Sequence, residues 1–121
     1  MTPNITFRGI GRSDALEADV RARIAKLERF YKPLMGCRVL VEFAQRHHER
    51  GNHFHVRIDL TIPGGEIVVA HDGSMHATAK DIEAETSVQR AEPNPARKHA
   101  AVAVHEAFDI ARRQLQDFAR R

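Results

Sequence analysis

Three stretches in the middle of the chain alternate apolar and polar residues, and this alternation limits the possible fold more than any other feature. In residues 37–46, CRVLVEFAQR, Cys37, Val39, Val41 and Phe43 fall on one side, with Arg38, Leu40, Glu42 and Ala44 on the other. In residues 54–63, FHVRIDLTIP, Phe54, Val56, Ile58, Leu60 and Ile62 stand opposite His55, Arg57, Asp59 and Thr61. Residues 66–73, EIVVAHDG, follow a turn signal, PGG, at 63–65. Side chains of a strand point alternately to its two faces, so a period of two marks strands with one buried face. Three such runs predict a meander that must bury a whole face against another layer.

The flanking segments supply that layer. NITFRGI (4–10) alternates Ile5 and Phe7 against Thr6 and Arg8, which predicts a further short strand. After it, Ser13 or Asp14 can cap a helix, and Asp14 with Glu17 resembles a capping box. Leu16, Val20, Ile24, Leu27 and Tyr31 then recur at helical spacing, and Pro33 and Gly36 close the segment. From Ala96 a second helix carries Val104, Phe108, Ala111, Leu115 and Phe118 on one stripe, while Ile110 falls on the polar side. The order is β-α-β-β-β-α. A four-stranded sheet with both helices on one face satisfies all these stripes together, so the expected class is α+β.

Residues 1–121 are expected to form a single domain, with a loop insertion at 74–96 that holds at most a short helical turn. No apolar run is long enough for a membrane span, and no signal-peptide pattern opens the chain, so a cytoplasmic protein is expected. The single cysteine, Cys37, excludes an internal disulfide and reads as a buried, inert thiol.

RHHERGNHFHVRID (46–59) holds His47, His48, His53 and His55 around a turn. Three readings stand side by side. The histidines could mark a solvated hairpin end, a surface near phosphates beside Arg46, Arg50 and Arg57, or a metal site. Zinc wants three or four ligands in fixed geometry, and the alternation turns His47 and His48 to opposite faces. No metal and no cofactor are therefore expected. There is no glycine-rich phosphate loop, no G-x-S-x-G, no H-E-x-x-H and no cysteine with an evident base, so an enzyme is not expected. His105 and Glu106 read as helix surface.

The helices carry the charge that matters. Arg21, Arg23, Lys26 and Arg29 line the first helix, and Arg112, Arg113 and Arg120 the second. Most charged helix faces are simply solvated. Here both helices are expected on the same face of the sheet, where their outward arginines and lysine would join into one patch suited to phosphate. Ala18, Ala22 and Ala25 on the outer side of the first helix permit close approach of a backbone. Aromatic residues make up only 6% of the chain and most fit core stripes, so a base-stacking platform is not expected.

The ordered motifs resemble the ribosome hibernation promoting factor family, also known as ribosome-associated inhibitors or sigma-54 modulation proteins. That family opens on an NIT strand followed by a helix A-L-x-x-x-V-x-x-K-x-x-K-L-E-x-Y/F. Ala15, Leu16, Val20, Arg23, Lys26, Leu27, Glu28 and Phe30 stand at its positions. HFHVRIDLTIPGGEIVVAHDG resembles the family's third and fourth strands, and VHEAFDIARRQL its last helix, through Asp109, Arg113, Gln114 and Leu115. Residues 74–96 have no counterpart, and Ala101 and His105 stand where the family has Tyr and Asp.

The resemblance implies a fold like the double-stranded RNA-binding domain. It also implies a translation inhibitor that binds rRNA of the small ribosomal subunit and occludes the tRNA and mRNA channel in stress or stationary phase. Arg23, Lys26 and Arg113 carry over as RNA contacts from its motifs; Arg21, Arg29, Arg112 and Arg120 follow from the face argument. Neither a membrane nor a small-molecule substrate is expected, and the chain is expected to be a monomer. The alternative is a non-catalytic protein-interaction or stress module that uses the 74–96 loop.

Overall fold

The computed structural model describes residues 1–11, 13–44, 53–74 and 95–120. Strand β1 (Asn4–Arg8) leads into helix α1 (Asp14–Phe30), followed by strands β2 (Gly36–Ala44), β3 (His53–Ile62) and β4 (Gly65–Ser74) and helix α2 (Pro95–Ala119). The expected order and class are both observed. The strands lie in the order β1-β2-β3-β4. β1 and β2 are parallel, with Ile5 beside Val39, and the crossover between them is α1. The remaining pairs are antiparallel, with Val39 opposite Ile58 and Ile58 opposite Val69.

The alternation resolves as it reads. Val39, Val41, Phe54, Val56, Ile58, Leu60 and Val69 are buried in one core with Leu16, Val20, Ile24 and Leu27 of α1 and Val104, Phe108, Ala111 and Leu115 of α2. Residues between them, such as Arg38, Arg57 and Val68, are exposed on the other face of the sheet. Both helices therefore cover the same face.

Several boundaries move by a residue or two for local reasons. β1 ends at Arg8 because Gly9 adopts φ +69, and a Cβ there would lie 2.5 Å from the Phe43 carbonyl oxygen. Only glycine fits that approach. At the start of α1 the cap is Ser13: its Oγ accepts from the Leu16 backbone N–H at 3.2 Å, and Asp14 is the first helical residue. Between β3 and β4, Pro63 and Gly64 form a two-residue link. Proline fixes a negative φ and Gly64 takes φ +85, the combination that a type II turn requires.

Helix α2 begins at Pro95, where a missing N–H costs nothing. Its apolar surface is wider than the single stripe. Ala100, Ala101, Val102, Ala103 and Val104 are all buried, and Ile110, which reads as polar-side, packs against the core. The loop expected at 74–96 lies outside the described residues, except that Ser74 belongs to β4 and residues 95 and 96 to α2. No described helix is long and apolar enough to cross a membrane.

Candidate nucleic-acid interface

The two helices run in the same direction across the sheet. Arg23 meets His105, and one turn or more further along both helices Tyr31 meets Phe118, edge to face at 6.3 Å between ring centroids. Residues spaced by three and four share a helix face, so α1 turns Arg23, Lys26 and Leu27 toward α2, and α2 answers with His105, Phe108, Asp109 and Arg112. These seven residues line a groove between the helices. Leu27 and Phe108 are buried and form its floor; Lys26, His105 and Arg112 are exposed along its rims.

The cations of the groove differ in how they are held. The Arg23 side chain is only 16% exposed. Its Nε donates to Asp19 Oδ2 at 3.0 Å, and its Nη1 lies 3.0 Å from His105 Nδ1. Arginine has no acceptor, so His105 Nδ1 accepts and its proton sits on Nε2. Lys26 and Arg112, by contrast, have no carboxylate partner among the described residues. Asp109, the one acid lining the groove, pairs through Oδ2 with Arg113 Nη2 at 2.8 Å. That pairing offsets part of its repulsion for an incoming anion.

Of the seven cations expected to meet RNA, the structure brings Arg23, Lys26 and Arg112 together. Arg21 and Arg29 stand on the outer side of α1 among exposed Ala18, Ala22 and Ala25. Arg21 Nη2 pairs with Glu17 Oε1 at 3.2 Å, and Arg29 Nε donates to the Ala25 carbonyl at 3.5 Å. Arg113 is exposed on α2 and Arg120 just past its end, both outside the groove. The exposed i,i+4 pairs of Arg21 and Arg113 are each worth about 0.3–0.5 kcal/mol, small enough for a phosphate to displace.

Sequence reasoning missed His105, which reads as helix surface yet tethers α1. It also missed Glu106, whose Oε2 lies 2.8 Å from His71 Nε2 on β4. The signal was available in part: His105, Phe108, Asp109 and Arg112 follow the i, i+3, i+4, i+7 rule.

The opposite face of the sheet is different in kind. Arg8, Arg38 and Arg57 share it with Glu42, Asp59, Glu66 and Asp72, and Arg57 Nε donates to Asp59 Oδ1 at 3.0 Å. Mixed signs make it a poor match for a uniform polyanion. Of the hairpin histidines, His55 Nδ1 sits 2.8 Å from Asp72 Oδ1; His47, His48 and the His53 side chain lie outside the described residues. Among the described residues no group of three or more His, Cys, Asp or Glu could hold a metal ion. Cys37 is buried, and burial, with Asp59 and Glu28 nearby, pushes its thiol up to about 12. It is no nucleophile.

The fold is similar to that of a ribosomal subunit interface protein from Coxiella burnetii, with a TM-score of 0.68, 11% identity and 100% of both chains covered. It is also similar to the N-terminal domain of Thermus thermophilus Protein Y, with a TM-score of 0.61 and 18% identity over 95% of this chain and 94% of that one. No curated protein sequence matches the chain. The sequence model that does match spans residues 4–121, all of the sheet and both helices, and by it the chain belongs to the Sigma 54 modulation protein / S30EA ribosomal protein family.

Proposed function

We propose that this protein binds the small ribosomal subunit, with the α1–α2 face against rRNA phosphates, and blocks translation by occupying the path of tRNA and mRNA. Membership of the family supports the ribosome as target. The observation that carries the RNA reading is the groove itself: Lys26 and Arg112 line it from opposite helices, unpaired with any carboxylate among the described residues, and Arg23, which also lines it, is held by Asp19 and His105. A cation already held in place loses little entropy on meeting a phosphate. Around the groove, Arg21, Arg29, Arg113 and Arg120 extend the positive surface. No bond is made or broken; inhibition is occlusion.

Co-sedimentation with separated small and large subunits, at low and at physiological salt, tests this. Saturable binding near one copy per small subunit is expected, weakening with salt at a log–log slope of roughly −0.7 to −0.9 for each phosphate contacted. Lys26→Glu combined with Arg113→Glu is expected to leave the fold intact, since both side chains are exposed, and to abolish binding. Equal binding to both subunits that vanishes at physiological salt would reduce the protein to a merely basic one.

A further inference from the structure

Helix α1 ends on an aromatic ring that the core does not use. Phe30 is its last residue and is 48% exposed, although Tyr31 and Phe118 beside the helix ends pack against the core. Its position on the helix is informative. Asp19, Arg23, Lys26 and Phe30 follow one another at i, i+4, i+7 and i+11, a single row along the side of α1 that borders the groove. Phe30 therefore continues the row of groove cations, about 6 Å along the helix axis beyond Lys26. Exposed Arg29 and Lys32 flank it in the chain.

A solitary exposed phenylalanine needs no explanation in general. One set in a line of cations does select its partner. An apolar protein surface seated on Phe30 would have to strip water from Lys26, Arg29 and Lys32 without neutralising them. A nucleotide brings both halves of the match: a phosphate for the cation and an aromatic base for the ring.

We infer that Phe30 stacks on an unpaired base at the C-terminal end of the α1–α2 groove, so that the groove takes a single-stranded or looped segment of RNA, not a continuous duplex. This rests on the RNA reading above. It adds a preference that phosphate contacts alone lack, because a base inside a helix offers no free face to the ring. It does not confer a base sequence, since every base has a face to stack.

The test is an affinity series on purified small subunits with Phe30→Tyr, Phe30→Leu and Phe30→Ala, with Lys26→Glu alongside and circular dichroism confirming the fold of each. Stacking predicts that Phe30→Tyr binds as the wild type does. Phe30→Leu and Phe30→Ala weaken binding by about 5- to 150-fold without changing the salt slope, because no phosphate contact is lost. Lys26→Glu lowers both affinity and slope. Leucine keeps apolar area but has no π face, so undiminished binding by Phe30→Leu overturns the stacking, as does a Phe30→Tyr as weak as Phe30→Leu. If the wild type does not bind the small subunit, or Lys26→Glu binds undiminished, the RNA reading itself falls and the stacking with it.

Discussion

Arg23 Nη1 lies 3.0 Å from His105 Nδ1, joining two helices across 82 residues of sequence. The imidazole Nδ1 accepts, since the guanidinium has only donors to offer.

The same pair contributes to stability. A double-mutant cycle on Arg23→Ala and His105→Ala is expected to show a coupling of about 0.5–1.5 kcal/mol by urea denaturation. A coupling near zero would mean that the helices are held by Leu27, Phe108 and their neighbours alone.

Gly9 supports the turn out of β1. Its φ of +69 and the 2.5 Å approach of a Cβ to the Phe43 carbonyl leave no room for a side chain. Gly9→Ala is expected to cost at least about 1–3 kcal/mol, more than an ordinary exposed substitution, read as a lower urea midpoint with an unchanged m value.

Phe54 is fully buried and packs on Phe43 with ring centroids 5.0 Å apart. Phe54→Ala should cost about 3–5 kcal/mol through lost burial and an unfilled cavity. For a domain of ordinary marginal stability that is much of the total, so a large fall in melting temperature is expected by calorimetry.

The Cys37 thiol is held up at about 12 from an ordinary 9.0, chiefly by burial. The folded state thus favours the neutral thiol. Its contribution to stability is complete below about pH 9 and is lost as pH rises from there toward 12. Cys37→Ala should flatten the alkaline loss of stability relative to the wild type. Iodoacetamide at pH 8 should modify Cys37 only after unfolding.

The sequence by itself determined the elements and their buried faces. A period of two has one physical meaning in a strand, and a period of 3.6 one meaning in a helix, so Val39, Ile58, Val20 and Leu115 could be placed inside without knowing any neighbour. Proline and glycine at 63 and 64 likewise marked a turn, and Gly64 takes the positive φ that few other residues adopt.

What the pattern could not supply was the relation between elements. Periodicity fixes the angle of a side chain about its own helix axis but not which neighbour stands at that angle. Arg23 and His105 both read as outward residues; only the parallel docking of α1 and α2 turned them toward each other and took Arg23 largely out of solvent. Ile110 reads as polar-side because its burial comes from packing outside the main stripe. Seven cations were read along two helix faces, with Arg113 and not Arg112 among those the motifs singled out, yet tertiary structure gathered Arg23, Lys26 and Arg112 into a groove and left Arg21 and Arg113 on acids four residues away. It also left Phe30 exposed beyond Lys26, where composition alone gave no expectation of a stacking residue. Charges act through distance, and distances between separate helices are decided by packing of the core beneath them.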